Sequence, residues 1–258
     1  MTVIAVFADP PRPGLVLPEL AESSPLSEAE AAELYAATLK DTFRAVEHSG
    51  GELLVNYRPD DLLSDEFAGE ESAEDAKSAE AEVRALAADA LADPSEARFE
   101  VQVGSTVSAR AGNTVSHLLN EEEVQSVAVV PGTAPLLTRK EIDSAAMKLR
   151  RNEVVLGPSD RGGVYFAGFT DTLDFEDAYA TPAVETLTHR ARDAGHEVGF
   201  LPHMHCVETG DDLASLVPLL NARVNAERVV PEHTTILLRE WGLRVEERAD
   251  GGTELVRE

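Results

Sequence analysis

The residues best suited to metal chemistry lie together in one short segment, Leu201–Glu208, which reads Leu-Pro-His-Met-His-Cys-Val-Glu. Alternate side chains of an extended backbone share a face, so His203 and His205 could ligate one transition metal together with Glu208. A second interpretation is a hard divalent cation held through oxygen by Glu208 and by the acids at positions 211 and 212.

Each of these groups also has an interpretation without a ligand. Asp211 and Asp212 stand where a helix is expected to begin, and the helix dipole favours carboxylates there. A lone cysteine such as Cys206 is more often a small buried apolar residue than a nucleophile. The sequence contains no Gly-x-Ser-x-Gly element and its other histidines stand apart, so it does not indicate a serine–histidine–acid triad.

Three loops rich in glycine and proline follow predicted strands and could contact a ligand. They are Pro11-Arg12-Pro13-Gly14, Pro131-Gly132-Thr133-Ala134-Pro135 and the stretch from Gly157 to Gly163, which includes Asp160, Arg161 and Gly162. Ligands of parallel α/β sheets bind outside the carboxyl ends of the strands, where such loops lie. None of the three matches the Rossmann or P-loop fingerprint, so ordinary turns are the alternative.

Short apolar runs alternate with amphipathic stretches. Strands are predicted at 3–8, 53–57, 99–103, 124–130, 153–156, 164–168 and 198–201. Helices are predicted at 27–48, 81–91, 106–119, 138–150, 182–194 and 211–221. Residues 237–247 are predicted to be the end of a further helix followed by a strand. A hairpin turn at 249–252 then leads into a last strand at 253–257. This order predicts an α/β fold with a mostly parallel, Rossmann-like sheet flanked by helices, in a single domain over 1–258 with an acidic insert at about 60–82.

The composition restricts the environment and the partners. The chain has 48 Asp and Glu against 22 Lys and Arg, for a formal net charge of -26. Such a surface stays hydrated in concentrated salt, which also screens its self-repulsion, so a salt-adapted, haloarchaeal-type protein is expected. An ordinary acidic protein with one acidic insert is the alternative. Nucleic acid is not expected as a partner, because phosphate binding needs clusters of Lys and Arg.

The chain is expected to be cytoplasmic. Its one cysteine excludes an internal disulfide, and no apolar run is long enough to span a membrane. The apolar N-terminus lacks a basic region and is predicted to be a buried strand, not a signal peptide.

Taken in order, these pieces resemble a family of proposed glycosyltransferases with the GT-A, nucleotide-diphospho-sugar transferase fold, distant relatives of the molybdenum-cofactor and phospholactate guanylyltransferases. The resemblance runs from Val3 to about Leu220. It rests on the loop 11–14, the helix 28–43, the stretch 157–168 and the stretch 207–213. It implies a nucleotide or nucleotide-sugar as ligand, with Mg²⁺ or Mn²⁺ as cofactor.

The resemblance also assigns roles. Arg12 and Arg161 would face phosphates, Glu208 would support a cation, and the full set of implied nucleotide contacts is Pro11, Arg12, Pro13, Gly14, Thr133, Arg161, Gly162 and Gly163. The chain departs from the family pattern in four places. Leu17 and Glu19 replace a Lys and an Arg, and Thr133 replaces a metal-type Asp. Arg161 replaces the acid of a third motif, and Cys206 and Glu208 replace the two acids of a fourth. These replacements remove cations that would offset phosphate charge and a carboxylate that would hold Mg²⁺.

Two functions follow from these observations. The first is a nucleotidyl- or glycosyltransferase-like protein that binds a nucleotide or nucleotide-sugar through a degenerate phosphate and metal site. The second is a non-catalytic relative that keeps the fold as a binding or regulatory protein. A metal-dependent enzyme of another class, using His203, His205 and Glu208, is the remaining hypothesis.

Overall fold

The computed structural model describes residues 1–68, 78–248 and 251–257. Within them a seven-stranded sheet has the order β3-β2-β1-β4-β6-β5-β7. Its strands are β1 (Thr2–Ala8), β2 (Glu52–Tyr57), β3 (Arg98–Val101), β4 (Ser126–Pro131), β5 (Val154–Pro158), β6 (Val164–Phe169) and β7 (Val198–Phe200). Strand β6 runs antiparallel to β4 and β5, while the other pairings of the sheet are parallel. The predicted α/β fold with a mostly parallel sheet is confirmed.

Helices cover both faces of the sheet. They are α1 (Pro18–Ser23), α2 (Glu28–Glu47), α3 (Ala79–Ala90), α4 (Val107–Asn120), α5 (Arg139–Lys148), α6 (Ala183–Asp193), α7 (Gly210–Asn225) and α8 (Glu232–Glu240). The sequence did not predict α1, because this helix has six residues, of which only Leu20 is buried, and therefore shows no periodic pattern.

The alternation of side chains along the strands divides the core into two layers. Along β1, Ile4 and Val6 join a cluster with α2, α3, α5, α7 and α8, while Val3 and Ala5 join a cluster with α4 and α6. A strand that is apolar on both faces belongs at the centre of a parallel sheet, which is where β1 lies.

The predicted acidic insert falls only partly on the described residues. Residues 69–77 lie outside them, Asp60–Leu62 form a 3₁₀ turn, and 79–82 are the first turn of α3. The Ala79 N–H donates to Asp60 Oδ2 at 2.8 Å, so the two ends of this stretch are joined.

The predicted C-terminal hairpin is present as β8 (Leu243–Glu247) and β9 (Thr253–Arg257), which pair antiparallel, although Ala249 and Asp250 of its turn lie outside the described residues. Among the described helices, none has the length and apolar character to cross a membrane.

The topology brings several loops to one border of the sheet. Strands β1, β2, β3, β4, β5 and β7 all point their carboxyl ends to this border, and β6 begins there. We call this border, with the loops that follow these strands, the loop edge. It contains all the site residues that the sequence predicts.

Candidate active site at the loop edge

Two arginines share one carboxylate at the β1–β2 side of the loop edge. Arg58 Nε lies 2.8 Å from Asp9 Oδ1. Arg110, in the first turns of α4, is half-buried and near enough to act electrostatically on both. Burial raises the pKa of the Asp9 carboxyl, and the two arginines offset this shift only in part. This group of Arg58, Arg110 and Asp9 gives the edge a local positive charge in a chain of net charge -26.

A buried polar network joins the strand that precedes Arg58 to the helix that carries Arg110. Asn56, 1% exposed near the end of β2, accepts a hydrogen bond from the Thr114 hydroxyl of α4 at 3.0 Å. Its amide donates to two β3 carbonyls, and its own carbonyl accepts from the Gln102 side chain at 2.7 Å. Asn56 precedes Arg58 by two residues, and Thr114 follows Arg110 by one helical turn. The network therefore holds together the two backbone segments that carry these arginines.

Arg110 is the less satisfied of the pair. Its Nε is buried and has no hydrogen-bond partner among the described residues, and no carboxylate of residues 1–68, 78–248 or 251–257 forms an ion pair with it. Burial and the neighbouring Arg58 lower the pKa of Arg110. A buried donor without an acceptor costs free energy, so the described residues leave the hydrogen bonding of the Arg110 guanidinium incomplete. Neither arginine was predicted from the sequence as a site residue. Arg58 at least directly follows a strand, whereas nothing in the sequence distinguishes Arg110.

Arg12, predicted to face phosphates, is held by acids instead. Its guanidinium lies 2.9 Å from Asp60 Oδ1 and 2.7 Å from Glu82 Oε1, and it also donates to the Phe67 carbonyl. The side chain of Arg12 is only 15% exposed. The loop of Pro11, Arg12, Pro13 and Gly14 therefore packs on the ends of the acidic stretch, and its contact with a nucleotide stays a prediction.

Arg161, the second predicted phosphate ligand, is also paired. Its guanidinium makes two hydrogen bonds to the Asp212 carboxylate, at 2.9 and 3.1 Å, and one to Glu208 at 3.1 Å. Asp212 is 5% exposed and also accepts from the N–H groups of Glu208 and Thr209 and from the Thr209 hydroxyl, as the capping box of α7. Burial alone would raise the pKa of Asp212, but hydrogen bonds from Arg161 and Thr209 outweigh it and lower that pKa.

The double glycine beside Arg161 is required by packing within the chain. A Cβ on Gly162, whose φ is +76°, would lie 2.6 Å from Pro182 Cβ. A Cβ on Gly163 would lie 2.5 Å from Ser159 Oγ. These contacts explain the glycines without a ligand, so their contact with a nucleotide stays a prediction.

The positions at which the resemblance implies metal carboxylates are neighbours, but most of them are neutral here. The Val207 N–H donates to the Thr133 carbonyl at 2.9 Å, and the Cys206 thiol lies against the Thr133 and Ser159 hydroxyls. Glu208 is the one carboxylate, and it pairs with Arg161. This set does not fit a hard divalent cation, which needs several oxygen ligands including carboxylates. A metal role for Glu208 stays a prediction that competes with its ion pair.

The two remaining departures from the family pattern, Leu17 and Glu19, lie at the start of α1. Leu17 is buried and has a left-handed backbone with φ of 50°, so its side chain belongs to the core. Glu19 is exposed in the first turn of α1. A cation at position 17 would need a different arrangement of this loop in order to reach a phosphate.

Cys206 is expected to be inert in the folded protein. Burial raises the pKa of its thiol to about 12, so at pH 8 only about 10⁻⁴ of the thiol would be ionised. A chromogenic disulfide reagent should therefore label the native chain at least about 100-fold more slowly than the urea-unfolded chain. Equal labelling rates would show that Cys206 is accessible and ionised.

The two predicted histidines do share a face, and the structure joins them to Asp160. His205 Nδ1 lies 2.8 Å from Asp160 Oδ2, and His203 Nε2 lies 3.5 Å from Asp160 Oδ1. The predicted third partner, Glu208, is turned to Arg161 instead. Asp160, in the loop between β5 and β6, was noted in the sequence but not connected to the histidines.

A cavity away from these residues is a weaker candidate. It measures about 390 Å³ and is lined by α2, by the segment before α5 and by residues 229–232. Two of its three arginines, Arg44 and Arg139, are paired with Glu232 and Asp143, and the third, Arg223, forms no ion pair among the described residues. The loop edge is the stronger candidate because ligands of open α/β sheets bind at the carboxyl ends of the strands.

Comparisons with known proteins agree with this fold. Residues 65–181, slightly less than half of the chain, match the model of a family described as "Uncharacterized protein conserved in bacteria (DUF2064)". The structure of a proposed nucleotide-diphospho-sugar transferase from Desulfovibrio desulfuricans G20 superposes with a TM-score of 0.71 at 21% sequence identity, over 93% of this chain and 94% of that one. The chain has a nucleotide-diphospho-sugar transferase-like fold.

A second similar structure is a cytidylyltransferase from Leptospira borgpetersenii, with a TM-score of 0.50 at 13% identity over 93% of this chain and 94% of that one. No curated protein sequence matches the chain significantly. At these identities the similarity establishes the fold, and the chemistry has to be argued from the residues.

Proposed function

We propose that the chain binds a nucleotide or nucleotide-sugar at the loop edge and is a nucleotidyl- or glycosyltransferase-like protein. The observation that carries this proposal is the group of Arg58, Arg110 and Asp9. The half-buried Arg110 guanidinium lies near Asp9, but no carboxylate of the described residues is hydrogen-bonded to it, which suits a phosphate group. A planar guanidinium can donate two parallel hydrogen bonds to phosphate oxygens. The fold supports the same place, since ligands of open α/β sheets bind at the carboxyl ends of the strands.

The proposal orients the ligand along the edge. The phosphates would lie near Arg58 and Arg110, beside the N-terminal end of α4, whose free N–H groups also favour an anion. Val103 and Val107, which are 58% and 46% exposed, could contact the flat face of a base. A sugar would then extend toward the loops after β4 and β5, where Thr133 and the Gly162-Gly163 turn lie.

The resemblance implies a divalent cation, Mg²⁺ or Mn²⁺, but the chain offers it only one carboxylate at the implied position. Glu208 is the protein carboxylate at the implied position, and binding an ion there would require release of its Arg161 partner. Phosphate oxygens of the ligand would have to supply the other ligands. The proposal therefore assigns phosphate recognition to Arg58 and Arg110.

A non-catalytic relative is the second candidate, and specific contacts favour it. The two arginines of the implied phosphate site are neutralised by acids within the chain, Arg12 by Asp60 and Glu82 and Arg161 by Asp212 and Glu208. A protein of this kind would bind a ligand without turnover. Release of free nucleotide or sugar from any nucleotide-sugar would exclude this candidate.

The test is calorimetric titration in molar KCl, which screens the large negative charge. The ligands are GTP, CTP and UDP- and GDP-sugars, each with and without Mg²⁺ or Mn²⁺. We expect one of them to bind with submillimolar affinity, and we expect Arg110→Gln to weaken binding at least about tenfold, as the loss of a charge-assisted phosphate contact should.

The matched control is Arg139→Gln, which removes an exposed guanidinium from α5, outside the loop edge. It should leave the affinity unchanged within a factor of two. Absence of binding by every ligand at millimolar concentration would refute the proposed function, and equal losses in the two variants would show only a general effect of charge.

A further inference from the structure

We propose that Asp160, His203 and His205 form a binding site for a divalent transition-metal ion, with Zn²⁺ as the expected occupant. The three residues each place a ligand atom within 4.8 Å of the others. They come from two segments, the turn between β5 and β6 and the extended stretch that follows β7. This site does not depend on the proposed nucleotide binding, and it differs from the implied cation position at Thr133 and Glu208.

The backbone holds the two histidines beside Asp160. The Leu201 N–H donates to the Leu156 carbonyl at 2.8 Å, and the Met204 N–H donates to the Pro158 carbonyl at 3.1 Å. The stretch is thus tied to the end of β5, although it forms no regular strand. Met204 packs against the core, so the side chains on either side of it, His203 and His205, face the opposite way.

Asp160 is fixed from its own side. Its carbonyl accepts from the Gly163 N–H at 2.9 Å, which closes the turn that carries it. The neighbouring cation, Arg161, is directed to Asp212 and Glu208 and does not neutralise Asp160. Among the described residues, His205 is hydrogen-bonded to the Asp160 carboxylate and His203 lies 3.5 Å from it, and no cationic side chain is paired with it.

The separations fit a metal ion after small movements. Ligand atoms at about 2.0–2.1 Å from a tetrahedral Zn²⁺ lie about 3.3 Å from one another. The Asp160 oxygens lie 2.8 Å from His205 and 3.5 Å from His203. The histidine side chains are 42% and 49% exposed, so side-chain rotation can complete the geometry and water can occupy the remaining position.

The donor set selects the ion. Two imidazoles with one carboxylate suit Zn²⁺ and its neighbours in the first transition row, whereas Mg²⁺ prefers oxygen ligands alone. Three protein ligands leave a position open, as in zinc sites that bind a substrate or an activated water, and unlike closed structural sites.

A second cluster of similar composition shows why the residue types alone do not identify a metal site. Glu100, His117 and Glu122 also bring ligand atoms within 4.8 Å of each other. There, however, Arg98 already lies between the acids: it bonds Glu100 and makes two bonds to Glu122 at 2.8 and 3.0 Å. A guanidinium occupies the place of a cation, so this cluster serves as an internal control.

The experiment is a zinc titration of tag-free, metal-stripped protein in molar KCl, with millimolar Mg²⁺ present to saturate surface carboxylates and a chromophoric chelator as competitor. We expect one tightly bound Zn²⁺ per chain. His203→Ala, His205→Ala and Asp160→Asn should each weaken binding at least about 100-fold, because each removes one of three protein ligands. Co²⁺ in place of Zn²⁺ should give visible absorption that these variants lose.

His117→Ala is the matched control and should bind Zn²⁺ within a factor of two of the unchanged chain. Glu208→Gln should do the same, which separates this site from one completed by Glu208. If His205→Ala does not fold, as judged by circular dichroism, His203→Ala carries the test because its ring makes only the longer contact. The proposal is overturned if the unchanged chain binds no stoichiometric Zn²⁺ or if the histidine variants bind it equally well.

Discussion

Replacing Asp212 by alanine is expected to lower the free energy of unfolding by about 3 kcal/mol, because one nearly buried carboxylate holds two segments together. It accepts hydrogen bonds from Arg161 in the turn after β5 and from the N–H groups of Glu208 and Thr209 at the start of α7. Without it these donors lose their acceptor and the helix loses its capping box. Urea unfolding followed by circular dichroism in molar KCl measures the change.

The effect of Asp212→Ala should depend on pH with a definite sign. The pKa of Asp212 in the folded chain is lowered below its ordinary value of 3.8. The ionised Asp212 carboxylate therefore contributes fully to the free energy of unfolding above pH 3.8. This contribution is lost as the pH falls through the pKa of Asp212 in the folded chain. The difference between the variant and the unchanged chain should thus be largest near neutral pH and should decrease below about pH 4.

The matched control for this prediction is Asp211→Ala. Asp211 is exposed in the same first turn of α7, so it shares the helix dipole but has no pairing with Arg161. We expect a change within about 0.5 kcal/mol. If the two variants were destabilised equally, the stability would come from the dipole, and the pairing of Asp212 with Arg161 would contribute nothing measurable.

Much of the fold could be predicted from the sequence because its signals are local. The buried runs that became β1 and β4 are apolar on both faces, which is typical of central parallel strands. Ser27 was expected to begin α2, and it does so through a capping box with Glu30. The antiparallel direction of β6 and the sheet order depend on pairing between distant segments, and no local pattern reports them.

The candidate site was harder to predict, since its residues meet only in three dimensions. The i, i+2 spacing of His203 and His205 was visible, but Asp160 lies more than forty residues earlier and reaches them only because β5 and β7 are neighbours in the sheet. Arg58 and Arg110 come together through the buried Asn56 network. Conversely, Arg12 and Arg161 occupied suggestive positions, and their acidic partners are remote in sequence.

Predictions that rest on composition stay predictions. The expected salt adaptation, cytoplasmic location and lack of a nucleic-acid partner rest on the net charge of -26, the single cysteine and the absence of a long apolar run. Unfolding curves recorded at increasing KCl concentration would test the first of these, since screening should raise the stability of the folded chain.

Replacing Gly210 by alanine is expected to destabilise the chain by about 3 kcal/mol, because the first residue of α7 touches the end of α1. A Cβ on Gly210 would lie 2.1 Å from the carbonyl oxygen of Ser23 and 2.8 Å from its carbonyl carbon. The Gly210 N–H also donates to Ser23 Oγ at 2.9 Å. The obstacle is backbone, so no side-chain rotation relieves it and the two helices must move apart.

Gly50→Ala is the control for Gly210→Ala. A Cβ on Gly50 would meet only Asp143 Oδ1, at the ordinary distance of 3.6 Å, so stability should be unchanged or rise by up to about 1 kcal/mol through the lower entropy of the unfolded chain.

Because Gly210 stands between Thr209 and Asp212, its substitution should also weaken nucleotide binding if the Arg161 ion pairs shape the loop edge. Destabilisation with unchanged nucleotide affinity would place the ligand entirely on the Arg58–Arg110 side.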